Sequence, residues 1–255
     1  MQLVKKSFKL GNSAAVHVPI KWIDKQIIVK PLEEDITETT IKILKQKNIL
    51  ENVKAIYLTG SYARGDYDEN SDVDIIVITD NKTGVIKEDN YEISLIPEKN
   101  YLHSLENNIY AIASLKDAKP ILNKDLLKRY QKQKLTININ KILDENQKVL
   151  ELNKEDVLEY QENNQSIDDG TMYSIILRLR QLYYLRNILK KQPITKKELQ
   201  SYLDKNAYNA YLRIKNNQKQ NDNTNPLDAI SIINLTKKWI EELKKLKKVQ
   251  KVSLS

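Results

Sequence analysis

The sequence contains no cysteine, which excludes a disulfide framework and thiol chemistry, and only two histidines, too few for a histidine-based zinc cluster. No apolar run approaches the ~20 residues needed to span a bilayer, and the first residues lack a signal-peptide pattern. Both absences point to a cytoplasmic protein. What is present suits a soluble chain: 40% hydrophobic residues, enough for a core, and 30% charged residues. A length of 255 residues predicts two or three structural units. The net charge of +8 favours polyanionic partners such as nucleotides, RNA or DNA, although lysines scattered over a solvated surface would give the same total.

The most informative stretch is Gly60-Ser61-Tyr62-Ala63-Arg64-Gly65, followed by Ser71-Asp72-Val73-Asp74-Ile75-Ile76-Val77-Ile78. The run Ala55, Ile56, Tyr57, Leu58 predicts a strand that breaks at Gly60, and Ser61 opens one helical turn closed by Gly65. A second strand then begins with two aspartates one residue apart. Strand side chains alternate faces, so Asp72 and Asp74 share one side while Val73, Ile75 and Val77 take the other. Two carboxylates about 4 Å apart repel by about 4 kcal/mol near a protein surface, so the pair needs a cation or a shared proton. Mg²⁺ suits it, because this ion takes oxygen ligands from one or two carboxylates plus substrate phosphates. The glycine–serine turn supplies the complement, since glycine lets phosphate approach the backbone and free N–H groups at a helix start hold anionic oxygens.

Gly60-Ser61, ten residues, then Asp72-x-Asp74 resembles the signature of the DNA polymerase beta-type nucleotidyltransferase superfamily, in particular its minimal members. The Ala63-Arg64-Gly65 continuation and Ser71 fit the same pattern. The resemblance implies Asp72 and Asp74 as Mg²⁺ (or Mn²⁺) ligands and Gly60 and Ser61 as triphosphate contacts. It also implies a third carboxylate on a neighbouring strand, completing a site for two cations about 4 Å apart. Glu92 fills that role, as the only acid inside a strand-like apolar run here, although aspartate is usual at that point of the family. Arg64, in the short helix after the phosphate turn, either contacts phosphate or pairs with Asp66 or Asp68.

Around this motif the pattern predicts an α+β fold in three parts. Residues 1–32 form a small β-hairpin segment, 33–122 a mixed sheet with helices of nucleotidyltransferase type, and 123–255 an all-helical bundle. In the first part, strands are expected at 4–10, 14–18 and 26–29, with a short helical turn after Pro19. So little core cannot stand alone and must pack on the next unit or on a second copy. Lys9-Leu10-Gly11-Asn12-Ser13, Val16-His17-Val18-Pro19 and Ile27-Ile28-Val29 resemble the swapped-hairpin domain of AbrB- and MazE-like proteins. That family implies an intertwined homodimer, with Lys5, Lys6 and Lys9 as candidates for DNA contact and with Asp24 where glycine is commoner.

Helices are expected at 33–50 and 98–106, with a hairpin of Gly84-Val85-Ile86-Lys87 and Tyr91 to Ile96 between them. His103 reads as a surface or core residue, and Pro120 opens an edge strand. Everything after residue 123 reads helical, with 171–190 apolar nearly all round and therefore central. Arg178, Arg180 and Arg186 interrupt this helix. They require either acidic partners, with Asp168, Asp169 and Glu198 the candidates, or an anion in the cleft.

Taken together, these features point to a metal-dependent nucleotidyltransferase moving a nucleoside monophosphate, AMP from ATP in the first instance, onto a hydroxyl of a protein, an RNA or a small molecule. A toxin's tyrosine, modified by an antitoxin of this type, is one such acceptor. The alternative is a dimeric DNA- or protein-binding module whose nucleotidyltransferase fold only senses nucleotide.

Overall fold

The computed structural model describes residues 5, 7–29, 35–68, 71–221, 223–245 and 249–252. It has mixed α+β architecture: a small N-terminal hairpin, a five-stranded mixed sheet with helices, and a C-terminal helical region. The hairpin pairs β1 (Phe8–Leu10) with β2 (Ser13–Ala15) through the turn at Gly11 and Asn12. Pro19 opens a single 3₁₀ turn, Ile20–Trp22, as its carbonyl accepts from Trp22 N–H at 2.8 Å. The expected third strand does not form: residues 26–29 pair with no other strand among the described residues. Asp24 just before them adopts φ +57°, a left-handed geometry that bends the chain away from extended pairing. Lys6 lies outside the described residues, while Lys5 and Lys9 are exposed.

Helix α1 (Ile36–Gln46) starts where Asp35 accepts the N–H groups of Thr37 and Glu38. It ends four residues short of the expected 50 because Asn48 turns left-handed, with φ +55°. The chain then runs β3 (Val53–Thr59), α2 (Gly60–Arg64), β4 (Val73–Thr79), β5 (Gly84–Glu88), β6 (Tyr91–Pro97), α3 (Glu98–Asn107), α4 (Ile109–Asp117) and β7 (Lys119–Leu122). The sheet order is β5-β6-β4-β3-β7, with β4 and β6 parallel and the other pairs antiparallel. Its edge strand β7 carries Pro120, where the missing N–H breaks no inner ladder.

Alternation divides this sheet cleanly. Ile56, Val73, Ile75, Val77, Tyr91, Ile93 and Leu95 pack with Ile43 and Leu44 of α1 in one core. Tyr57, Ile76 and Ile78 face the other way and join a larger core that continues through α3 and α4 into the C-terminal helices. Asp72 and Asp74 share the parity of Ile76 and Ile78, so the acids look toward the helical half.

That half comprises α5 (Lys124–Gln131), β8 (Leu135–Asn138), α6 (Ile139–Glu162), α7 (Asp169–Leu189), α8 (Lys196–Gln200), α9 (Lys205–Lys215), α10 (Pro226–Lys244) and β9 (Val249–Val252). It is not wholly helical as expected, because β8 and the last described residues form an antiparallel ribbon. Leu135 and Ile137 alternate with exposed Thr136 and Asn138, a half-buried strand pattern too short to stand out between two helices. The α7 helix is central, burying Met172, Ile175, Ile176, Leu179, Leu182, Tyr183, Leu185 and Ile188. Thr195 caps α8 by accepting from Glu198 N–H, while the Glu198 carboxylate turns to the hydroxyls of Tyr183 and Tyr202. No helix among the described residues is long and apolar enough to cross a membrane.

Candidate functional site

The antiparallel register of β3 and β4 places Thr59 opposite Asp74, so the end of one strand meets the start of the other. Gly60 follows with φ +67°, and a Cβ there would overlap the Asp74 carboxylate. Only glycine satisfies both demands. Helix α2 begins without a side-chain cap, the Thr59 hydroxyl donating instead to the Asp74 carbonyl at 3.2 Å, and it closes at left-handed Gly65. The parallel register of β4 and β6 sets Asp74 beside Glu92 on the same face. Asp72, Asp74 and Glu92 line one cavity of about 300 Å³ together with Gly60, Ser61 and Arg64, so all six expected site residues border it.

The electrostatics are uneven. The Asp74 carboxyl is pushed up to about 6, chiefly by burial and further by the charges of Asp72 and Glu92, against the opposing pull of Lys215 and Arg180. Asp72 is held by the Lys215 ammonium at 2.7 Å, and Glu92 by Lys87 at 3.0 Å on the rim. Arg64 pairs with Asp66 at 3.2 Å and lies 3.7 Å from Asp117, so the structural alternative holds although the residue also borders the cavity. Burial is the main cause that raises Asp117, with Arg64 opposing it.

The donor set suits a hard divalent cation: Asp72, Asp74 and Glu92 border the cavity, with no sulfur or imidazole among its lining residues. Among the described residues, no group of three or more histidine, cysteine or acidic side chains is close enough to hold a metal ion. Asp72 and Glu92 are engaged by lysines instead. Two carboxylates plus substrate phosphate suffice for Mg²⁺, so Asp72 and Asp74 fit the ion and Glu92 can join them on leaving Lys87.

The opposite wall comes from the helical half. Of the three arginines of α7, Arg180 borders the cavity. The acidic partners considered from sequence are engaged elsewhere. Asp169 binds Arg213 at 2.6 and 2.7 Å, Asp168 accepts from Thr171 N–H and the Tyr160 hydroxyl, and Glu198 takes two tyrosines. Arg180 instead donates to the hydroxyls of Tyr184 (3.3 Å) and Tyr211 (3.1 Å) and sits 5.3 Å from the ring centres of Tyr110 and Tyr184. It has no carboxylate within ion-pair distance among the described residues. Arg186 lies over Trp239 and 3.7 Å from Glu242, and the Arg178 Nε has no hydrogen-bond partner among the described residues.

Two lysines of this wall escaped the sequence reading. Lys196 donates its backbone N–H to Asp66 (2.5 Å) and its ammonium to Asp68 (2.6 Å) and Ser71 (3.0 Å), gripping the loop that leads into Asp72. Lys215 ends α9. In a lysine-rich chain neither carries a local signal, because its importance arises from a contact more than a hundred residues away.

Residues 37–193 match the sequence profile described as the nucleotidyltransferase domain. A solved nucleotidyltransferase-like protein from Exiguobacterium sibiricum shares 16% identity over 81% of this chain and 74% of its own, with a TM-score of 0.33, too distant to bear on the site. No curated protein matches the chain. The profile match begins beyond the N-terminal hairpin, whose likeness to swapped-hairpin proteins finds no support in these comparisons.

Proposed function

Because the chain belongs to the nucleotidyltransferase domain family, we propose that it transfers a nucleoside monophosphate, AMP from ATP, to a hydroxyl on a protein, an RNA or a small molecule. The observation that carries this reading is the convergence of Asp72, Asp74 and Glu92 with Gly60 and Ser61 on one cavity, opposite Arg180, which donates to tyrosine hydroxyls and has no carboxylate partner among the described residues.

Asp72 and Asp74, joined by Glu92, would hold Mg²⁺ or Mn²⁺. When bound, such an ion neutralises phosphate charge and favours ionisation of the attacking hydroxyl. Gly60 and Ser61 receive the triphosphate where no side chain obstructs it. Arg180, held by its tyrosines, presents a fixed positive charge to the anion from the other wall. The acceptor oxygen attacks the α-phosphorus, the bond to the bridging oxygen breaks, and pyrophosphate leaves. Arg64 has a supporting part, keeping the turn after Ser61 in place through Asp66.

Incubation with labelled ATP and Mg²⁺ or Mn²⁺, with the chain itself, RNA and candidate protein acceptors, tests the reading. Asp74→Asn should abolish labelling by at least about a hundredfold, and unchanged labelling would remove the assignment.

A second role rests on a separate observation. Phe8, Leu10, Val18, Ile20, Ile23, Ile27, Ile28 and Val29 are all exposed within the N-terminal arm. So much apolar surface on a segment too small to fold alone supports a homodimer formed through this arm, with Lys5 and Lys9 left available for DNA. Light scattering should give a dimer for the whole chain and a monomer after removal of residues 1–32. Binding of short duplex DNA without pyrophosphate release for any acceptor would favour the nucleotide-sensing alternative.

A further inference from the structure

Lys215 is the best-placed cation in the site, and its position has consequences for the order in which ligands arrive. Its ammonium lies 2.7 Å from Asp72 Oδ2, its side chain is only 34% exposed, and its charge is felt by Asp74 as well. Lys87 neutralises Glu92 at the exposed rim, but Lys215 comes from α9, the wall that faces the acids across the cavity. A divalent cation placed on the Asp72 carboxylate lies within a few ångströms of the lysine ammonium, and the repulsion between them weakens the lysine's hold on that group. A lysine at the end of a helix also has a long flexible stem, so its head can move while its backbone stays fixed.

We propose that Lys215 is the built-in counter-ion of the empty acid pair, displaced from Asp72 when the divalent cation binds and then available to the phosphates of the nucleotide. The inference rests on the reading of Asp72 and Asp74 as cation ligands. It makes Lys215 an exchange residue, with opposite effects on the two ligands: it hinders the free metal and helps the nucleotide. The exchange leaves Asp72 with a cationic partner at each stage, and it favours loading of metal and triphosphate together over metal alone. A residue that only props up α9 would alter both affinities in the same direction. One that only touches phosphate would leave free metal unaffected.

The test compares the whole chain with Lys215→Gln, which removes the charge, and Lys215→Arg, which keeps it. Mn²⁺ binding without nucleotide is followed by the paramagnetic resonance of the free ion, and binding of a non-hydrolysable ATP analogue at saturating Mn²⁺ by calorimetry. Lys215→Gln should tighten Mn²⁺ by about tenfold and weaken the ATP analogue at saturating Mn²⁺ by about fivefold, while Lys215→Arg leaves both near wild type. Unchanged or weaker Mn²⁺ binding in Lys215→Gln, with the melting curve intact, overturns the inference. Tighter Mn²⁺ with unchanged binding of the analogue overturns the transfer to phosphate. Asp72→Asn reports separately on the underlying reading: it should remove Mn²⁺ binding, and if it does not, the metal site itself is misassigned whatever Lys215 does.

Discussion

Val73, Ile75 and Val77 point to one face of the central sheet, and Asp72, Asp74, Ile76 and Ile78 to the other. The first face is closed locally. Its partners are the same alternating positions of β3 and β6 together with α1, and nothing on it requires a charge to be balanced. The second face carries two acids into a cavity, and its compensation comes from far along the chain: Lys215 as an ion pair, Arg180 as a field. The contrast separates what holds this fold together from what it is for. Hydrophobic burial is non-directional and needs only the right parity, whereas buried charge needs a particular partner at a particular place.

Three substitutions should break the contrast, beginning with the largest effect. Ile93→Ala on the closed face leaves a cavity at a fully buried position and should cost about 3 kcal/mol in denaturant unfolding. Asp74→Asn on the open face should act in the opposite direction. A carboxyl whose folded value of about 6 lies above its usual 3.8 binds its proton more tightly in the folded chain. It therefore costs nothing at acid pH, where both states are protonated, and stability falls as pH rises from about 4 to about 6. In metal-free buffer Asp74→Asn should match the wild type near pH 3.5 and exceed it by about 2 to 3 kcal/mol near pH 7, while transfer is lost. Gly60→Ala should cost about 1 to 3 kcal/mol, because the left-handed backbone is strained and the new methyl must displace Asp74. A wild type that is more stable than Asp74→Asn at neutral pH would mean that Lys215 and Arg180 already offset the buried charge in full.

The closed face was legible in the sequence almost residue by residue, because alternation and the Gly60, Gly65 and Asp72-Val73-Asp74 punctuation are local. The hairpin of β5 and β6 and the central place of α7 follow from the same short-range signals. Three misses share one cause. The acidic partners proposed for the α7 arginines were the nearest acids in sequence, yet in the fold Asp169 meets Arg213 and Arg180 meets tyrosines from α4, α7 and α9. The β8–β9 ribbon joins segments more than a hundred residues apart, which no periodicity reveals. Lys215 and Lys196 are ordinary lysines until tertiary contact selects them. Residues 26–29 show the converse error, β-branched residues that suggest a strand but find no partner strand among those described.

The smallest expected effect sharpens the comparison within the open face itself. Lys87 and Lys215 both pair with candidate ligands at similar distances, 3.0 and 2.7 Å, but the Lys87 side chain is 71% exposed and sits on the sheet's edge hairpin. Solvent screens such a pair, and holding two long side chains together costs entropy that offsets the attraction. Lys87→Met should therefore change stability by no more than about 0.5 kcal/mol, and its Mn²⁺ affinity should rise far less than that of Lys215→Gln. Equal tightening of Mn²⁺ by the two substitutions would show that release of Glu92 limits metal entry as much as release of Asp72, and the rim would then matter as much as the cavity wall.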